Sequence, residues 1–225
     1  MTGLRRAVVV GASRGIGKAL VEELARRGTA VTGTVRDPHG SGPTGDGRSV
    51  VLDLSDPDAG RALEAVVCPG ELDALIVNAG IFGPAHQDVA QVECEETAEL
   101  FWTNAIAPVR LARRLLPLVR RGGVIAFMSS RTASIALNAE GDMELYRASK
   151  AALNALSRSF AVKDALPADI AVLLLHPGWV QTEMGGSNAP VTIRQSVAGL
   201  SAVIERALDH PTFRFADYQG DELAW

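Results

Sequence analysis

Short apolar runs alternate along the chain with longer stretches in which apolar residues recur every three or four positions. The short runs have the length of buried strands, and the longer stretches have the period of helices that bury one face. The short runs predict strands over residues 7–11, 29–35, 49–54, 72–78, 124–129, 170–175 and 213–216. The periodic stretches predict helices over residues 15–27, 55–67, 93–120, 144–163 and 192–208, with Ser55 as the N-cap of the second helix.

The order of these elements predicts an α/β fold. Strands that are separated by helices, several of them apolar throughout, are typical of a parallel sheet with helices on both faces. We therefore expect a doubly wound, mostly parallel sheet. Residues 37–47 are rich in glycine and proline and predict a loop between the second and third strands. No self-sufficient core precedes this loop, so we expect a single domain over residues 1–225.

Composition narrows the function classes. Of the 225 residues, 47% are hydrophobic and 21% are charged, which is close to the globular average and argues against global disorder. The net charge of −4 offers no basic face for a nucleic-acid backbone, and the longest apolar runs are too short to cross a bilayer. Two cysteines and four histidines without metal-ligand spacing predict no metal site and favour a reducing compartment. We expect a cytoplasmic protein without nucleic-acid, membrane or metal partners.

A glycine-rich segment links the first strand to the first helix. It reads Gly11-Ala-Ser-Arg-Gly-Ile-Gly17. Backbone N–H groups and the positive end of the helix dipole face outward at such a turn, so it can hold a pyrophosphate. The spacing Gly-x3-Gly-x-Gly differs from the dinucleotide fingerprint G-x-G-x-x-G. A glycine-rich turn without a ligand is therefore the alternative.

Two arginines bear on which dinucleotide would bind. Arg36 follows the second strand, where many NAD-binding proteins have a carboxylate, and Arg14 lies in the glycine-rich segment. Two guanidinium groups favour a 2′-phosphate and hence NADP(H) over NAD(H). Asp37 lies next to Arg36 and weakens this interpretation, and two solvated surface arginines are the alternative.

A tyrosine and a lysine suggest acid–base chemistry. Tyr146 and Lys150 are four residues apart in a predicted helix and therefore share one helix face. A nearby ammonium favours the phenolate, so it would lower the pKa of the tyrosine from about 10. The pair Ser129-Ser130 closes the fifth strand, at the sheet edge where ligands bind in parallel sheets, and a hydroxyl there could hydrogen-bond a substrate carbonyl. A surface Tyr–Lys pair and a serine that only starts a turn are the alternatives.

A proline lies inside the longest predicted helix. Because Pro108 has no N–H group, the main-chain carbonyl of Asn104 loses its helical donor. We expect a kink there, with a carbonyl that can hold a water. A kink that serves packing alone is the alternative.

Together these features resemble the short-chain dehydrogenase/reductase family over nearly the whole chain, in the family's order. The resemblance implies a catalytic tetrad of Asn104, Ser130, Tyr146 and Lys150. It implies that the cofactor contacts are made by Gly11, Ser13, Arg14, Gly15, Ile16, Gly17, Arg36, Asp53, Leu54, Asn78, Ala79, Gly80, Tyr146, Lys150, Pro177, Gly178, Val180 and Thr182. Val10 is a departure, since the family usually has threonine before the first glycine.

Two segments, residues 176–186 and 217–225, are similar to those of the C-factor and sniffer-type carbonyl reductases within this family. That subgroup has a longer spacing between the strand-end serines and the tyrosine. Ser134, twelve residues before Tyr146, is the rival for the catalytic hydroxyl. We favour Ser130, because it directly follows the strand and aligns with the subgroup's pair of serines.

The resemblance implies a Rossmann-like oxidoreductase (EC 1.1.1.-) that uses NADPH to reduce an aldehyde, ketone or quinone. Tyr146 would donate the proton, and Ser130 would orient the carbonyl oxygen. Lys150 would lower the phenol pKa and bind the ribose, while Asn104 would hold a water that links Lys150 to solvent. Two alternatives stay open: an NAD-dependent alcohol dehydrogenase that runs toward oxidation, and a non-catalytic dinucleotide-sensing or signalling protein. A homodimer or homotetramer would suit the apolar helices.

Overall fold

The structure, a computed structural model, describes residues 3–37 and 48–225. Seven strands are present in the described residues: β1 (Arg6–Val10), β2 (Ala30–Val35), β3 (Arg48–Val51), β4 (Leu72–Val77), β5 (Val119–Met128), β6 (Ala171–His176) and β7 (Phe213–Asp217). They form one sheet in the order β3-β2-β1-β4-β5-β6-β7, and every neighbouring pair is parallel. All strands therefore end at the same edge of the sheet.

Helices cover both faces of this sheet. They are α1 (Gly15–Arg26), α2 (Arg61–Glu64), α3 (Cys94–Phe101), α4 (Ala107–Leu115), α5 (Glu144–Phe160) and α6 (Ile193–Arg206). Side chains alternate along each strand, so one apolar core lies between the sheet and α4 and α5, and the other between the sheet and α1 and α6. The predicted doubly wound α/β fold is confirmed. No helix in the described part of the chain is both long and apolar enough to cross a bilayer.

The predicted helix over residues 55–67 is mostly wrong. The structure has turns over residues 54–60, and α2 begins only after Gly60. Asp53 Oδ1 accepts a hydrogen bond from the N–H of Ser55 at 2.9 Å, and Asp56 Oδ1 accepts one from that of Asp58 at 2.8 Å. Such bonds offer the backbone an alternative to the helix, so Ser55 lies in a turn and is not an N-cap.

The predicted helix over residues 93–120 is divided. A π-helical turn (Trp102–Ile106) separates α3 from α4, and a 3₁₀ turn (Leu116–Leu118) follows α4. The wide turn comes immediately before Pro108, so it takes the place of the expected kink. β5 starts at Val119, five residues earlier than predicted, and pairs there with Leu72 of β4.

An ion pair accounts for the early start of β5. The carboxylate of Asp73 is 1% exposed and accepts the N–H groups of Arg5 and Arg6 at 2.8 and 2.9 Å. Arg120 Nε donates to its other oxygen at 2.6 Å. This clamp joins β1, β4 and β5 at their starting ends. The predicted loop over residues 37–47 lies, apart from Asp37, outside the described residues.

Candidate active site

The glycine turn, residues Gly11–Gly17, is packed against the segment that follows β4. Gly11 has φ +84°, and a Cβ there would lie 2.8 Å from atoms of Ala79. Asn78 Nδ2 donates to the carbonyl of Gly11 at 2.9 Å. A Cβ on Gly17 would collide with that same carbonyl and lie 2.6 Å from Asn78 Nδ2. Glycine is therefore required at both ends of the turn, because backbone atoms occupy the space of a side chain.

The N-terminus of α1 lies at this turn. Its N-cap residue, Arg14, is extended and makes no side-chain cap bond, so the helix end is left to other partners. Ser13 is half-buried, and Ile16 packs against the core beneath α1 and α6. The Arg14 side chain is exposed and forms an ion pair with Glu183, which belongs to the segment after β6.

Two oppositely charged residues lie where β2 and β3 end. Arg36 and Asp53 are both exposed there, and Leu54 is buried. Hydrogen bonds from Ser55, and then the charge of Arg36, hold the pKa of the Asp53 carboxyl below its usual value. The structure thus brings three of the predicted cofactor residues, Arg36, Asp53 and Leu54, together at one edge of the sheet.

Tyr146 lies in the first turn of α5, facing the end of β5. A hydrogen bond joins the Ser130 side chain to the Tyr146 phenol, and Ser130 Oγ accepts from Thr132 Oγ1 at 2.8 Å. Lys150 is 4% exposed and donates to the Met128 carbonyl at 3.0 Å. Its Nζ lies 5.7 Å from the centre of the Tyr146 ring. The three predicted side chains therefore share one location at the carboxyl edge.

The sequence predicts a lowered pKa for the Tyr146 phenol, and the structure gives a raised one. Burial raises the pKa of Tyr146 to about 12, against a smaller lowering by the Ser130 hydrogen bond. Burial also lowers the pKa of Lys150 to about 8. The phenol is thus neutral at neutral pH and able to give up a proton, while the amine is still mostly charged.

The rival serine is engaged elsewhere. Ser134 Oγ accepts the N–H of Leu137 at 3.0 Å and so closes the first turn of the next loop. It is Ser130 that the structure brings to Tyr146.

Asn104 lies in the π-helical turn and is fully buried. Its side-chain amide makes two hydrogen bonds to the main chain of Ile81. Oδ1 accepts from the Ile81 N–H and Nδ2 donates to the Ile81 carbonyl, both at 2.8 Å. A Cβ on Gly80 would lie 3.1 Å from Asn104 Oδ1 and 3.2 Å from Lys150 Nζ. The missing side chain of Gly80 lets the amide and the amine approach each other.

The segment after β6 lies beside the glycine turn. Gly178 has φ +89°, and Val180 is buried and pairs with Val191. The methyl group of Thr182 comes within 3.8 Å of where a Gly15 Cβ would be. Pro177 is half-buried, and among the four predicted residues of this segment it is Thr182 that the structure brings to the glycine turn.

The chain is similar in sequence to known proteins over most of its length. Residues 5–191 match the family described as short chain dehydrogenase. The chain belongs to the short-chain dehydrogenase/reductase family. C-signal of Myxococcus xanthus is 41% identical over 73% of this chain and 99% of its own length.

Solved structures agree with this assignment. A carbonyl reductase from Pseudomonas aeruginosa PAO1 in complex with NADP is 46% identical, with a TM-score of 0.91 over 99% of this chain and 100% of that one. The carbonyl reductase Sniffer of D. melanogaster is 29% identical, with a TM-score of 0.87 over the full length of both chains. The family and its carbonyl-reductase relatives are as the sequence resemblance implied, and the chain is an oxidoreductase of this family with a Rossmann-like fold.

The family's nicotinamide dinucleotide fits the residues present. At Gly15 a Cβ would meet only the Thr182 methyl group, at 3.8 Å, so a phosphate can approach the backbone there, and the α1 N-terminus makes no side-chain cap bond. Arg36 and Arg14 supply positive charge at the same edge. These residues, with the segment after β6, would hold the dinucleotide.

Two further residues of this dehydrogenase contact the tyrosine and were missed by sequence reasoning. Gln87 Oε1 accepts the main-chain N–H of Tyr146, and Ser149 Oγ donates to its main-chain carbonyl, each at 2.8 Å. Ser149 could have been found, because it lies one helical turn from Tyr146. Gln87 is 59 residues away, and no local pattern connects it with Tyr146.

Proposed function

We propose that this short-chain dehydrogenase reduces a small aldehyde, ketone or quinone to an alcohol, with NADPH preferred over NADH. The dinucleotide supplies the hydride when it is bound. The observation that carries the proposal is the cluster at the end of β5, where the Tyr146 phenol is hydrogen-bonded to Ser130 and the Lys150 amine lies 5.7 Å from the ring centre. A neutral phenol is a proton donor, which is what a carbonyl oxygen needs as it becomes an alcohol.

Ser130 and Lys150 act on the two protonation states of the phenol. A substrate carbonyl oxygen near Tyr146 would share the Ser130 hydroxyl, which would orient it for protonation. Once Tyr146 has given its proton, the Lys150 ammonium stabilises the phenolate across the short separation of the two groups. Its bond to the Met128 carbonyl fixes the amine at the end of β5. Asn104 would position Lys150 from the other side through Gly80.

The preference for NADPH rests on Arg36 and Arg14. Neither arginine would meet a carboxylate of β2, since Val35 is the last residue of that strand. Arg14 would exchange its ion pair with Glu183 for a phosphate, and because both side chains of that pair are exposed, the exchange costs little.

Exposed apolar side chains on the segment after β6 and on the loop before α5 favour an apolar substrate. Trp179 and Met184 are both more than half exposed, and the Trp179 indole is fixed by a hydrogen bond from Nε1 to the Gly185 carbonyl at 2.7 Å. Ile135, in the loop between Ser130 and α5, is 81% exposed. A carbonyl compound with an aromatic or alkyl portion would cover this surface.

Self-association is part of the proposal. Leu156 and Val162, on the second half of α5 and just beyond it, are exposed apolar residues, as is Ile106 before α4. A homodimer or homotetramer would bury them.

The test is consumption of NADPH and NADH by the purified chain with a panel of aldehydes, ketones and quinones. We expect turnover with NADPH and a higher kcat/KM for NADPH than for NADH. Arg36→Asp should reverse that preference, shifting the ratio about a hundredfold, because it replaces a charge-assisted phosphate contact with a repulsion. Arg61→Asp, an equal charge change on α2, should leave the ratio unchanged. Turnover with no carbonyl compound would instead favour a dinucleotide-sensing protein.

A further inference from the structure

The loop that follows β4 is fastened to the first turn of α5 by side chains from both segments. Glu144 Oε2 accepts the N–H of Val89 at 2.8 Å, and the Phe82 ring packs on the Tyr146 ring with centres 5.3 Å apart. Gln87 lies between these two contacts and is 7% exposed. The loop therefore packs against one side of Tyr146.

Gln87 uses its whole side-chain amide in this junction. Its Nε2 donates to the carbonyls of Phe82 at 3.0 Å and Pro84 at 2.7 Å, which closes the loop on itself. Its Oε1 accepts the N–H of Tyr146 at 2.8 Å. Gln87 has φ +54°, a left-handed conformation that is uncommon for a residue other than glycine and is held here by these three bonds.

The Tyr146 N–H, which bonds Gln87 here, is a group that the N-cap side chain of a helix normally accepts. Tyr146 is the third residue of α5, and N-cap side chains bond the N–H of the second or third residue. The N-cap residue here, Met143, is left-handed and makes no side-chain bond. Gln87 thus caps α5 from a distant segment, at the residue that carries the phenol.

The carbonyl side of Tyr146 is held as well. Asn104 Nδ2 donates to Ser149 Oγ at 3.0 Å, and Ser149 Oγ donates to the Tyr146 carbonyl at 2.8 Å. The same Asn104 amide grips Ile81 at the start of the loop. The main-chain N–H and carbonyl of Tyr146 are therefore both hydrogen-bonded by side chains, and both sets of bonds connect Tyr146 to the loop after β4.

We propose that Gln87 is a positioning residue, whose side-chain oxygen fixes the main chain of Tyr146 so that the phenol stays within reach of Ser130 and the substrate oxygen. This inference rests on the proposed function, because it assigns Gln87 to the proton transfer made by Tyr146. It differs from a purely structural role, since the two carbonyl bonds hold the loop and the Tyr146 bond holds the proton donor.

Two variants separate these bonds. Gln87→Met removes all three bonds at similar size. Gln87→Glu loses the two donor bonds to the loop but keeps an acceptor for the Tyr146 N–H, and a carboxylate is favourable at a helix N-terminus. Gln91→Met is the matched control, because Gln91 is exposed and its amide bonds Asp88 within the loop.

We expect Gln87→Met to lower kcat about tenfold or more, because small misplacements of a reacting group are costly, while the Kd for NADPH changes less than about twofold. Gln87→Glu should recover kcat to within about threefold of the wild type, and Gln91→Met should match the wild type. Equal losses in Gln87→Met and Gln87→Glu, or a parallel loss of NADPH binding, would overturn the inference in favour of a loop-holding role.

A second measurement needs no turnover. Hydrogen exchange of the Tyr146 amide should accelerate in Gln87→Met and stay slow in Gln87→Glu and Gln91→Met. Unchanged exchange in Gln87→Met would overturn the inference even with an active enzyme. A wild-type chain that reduces no carbonyl compound would overturn the proposed function, and the exchange data would then decide alone whether Gln87 fixes Tyr146.

Discussion

The glycine turn and the first turn of α5 are built in opposite ways, although they lie at the same edge of the sheet. The glycine turn is shaped by missing side chains, because backbone atoms of Gly11 and Ala79 fill the space where Cβ atoms would be. The first turn of α5 is shaped by added side chains, since Gln87 and Ser149 bond the main chain of Tyr146. One half of the site depends on steric exclusion and the other on hydrogen bonds.

This difference predicts how each half fails. A side chain introduced at Gly11 or Gly17 must push backbone atoms apart, so cofactor binding and folding should suffer together. Loss of a polar group near Tyr146 leaves the backbone of the sheet in place. Catalysis should therefore be lost there without loss of the cofactor.

The largest effect is expected at the phenol itself. Tyr146→Phe should lower kcat about a thousandfold, since the proton donor is lost, while NADPH binding is kept. The matched control is Tyr218→Phe, the same change at the chain's other tyrosine, which packs beside Gly178 and Gly199. Steady-state kinetics and fluorescence titration with NADPH measure the two quantities. A Tyr146→Phe variant with near-normal kcat would break the assignment of the acid.

A smaller effect on a different quantity is expected at the glycine turn. Gly17→Ala should weaken NADPH binding about a hundredfold and lower the free energy of unfolding by about 2 kcal/mol, because its Cβ would collide with the Gly11 carbonyl. Gly3→Ala is the control, since a Cβ there meets nothing within 4 Å. NADPH titration and denaturant unfolding test the pair. If binding alone weakened and stability did not change, steric exclusion would not be what shapes this turn.

The smallest expected effect is a pH dependence. Burial holds the pKa of Lys150 at about 8, below its usual value, so the amine loses its charge as pH rises through that value. The charge stabilises the phenolate left after proton donation, so kcat for reduction should be highest below about pH 8 and fall above it. Alcohol oxidation requires the phenolate, and because burial raises the pKa of Tyr146 to about 12, kcat for oxidation should keep rising well above pH 8. Profiles of kcat measured in both directions check this, and a reduction rate that rises through pH 8 would contradict it.

The glycine turn and the Tyr146–Lys150 pair were predictable because the residues of each are close in sequence. Gly11 to Gly17 lie in one strand–turn–helix unit, and Tyr146 and Lys150 lie one helical turn apart, so period and spacing alone place them. The fold followed from the same periodicity. The boundaries that failed, at Ser55 and Val119, depend on the turn-forming carboxylates of Asp53 and Asp56 and on the ion pair between Asp73 and Arg120.

The surroundings of the phenol were less predictable. The spacing of Tyr146 and Lys150 predicts a phenol pKa lowered by the charged amine, but burial has the larger effect and raises that pKa. Burial depends on the whole fold, which a spacing of four residues does not contain. The bond from Tyr146 to Gln87 has the same cause, since it joins two segments that meet only once the sheet has formed.

The ion pair and hydrogen bonds of Asp73 lie at the end of the sheet where β1, β4 and β5 begin, opposite the edge that carries Ser130 and Tyr146. Much of the sheet's anchoring is thus independent of the loops that would choose a substrate. Those loops can change in length and composition during evolution while the opposite rim keeps the strands in register. A scaffold fastened in this way is well suited to acquire new specificities.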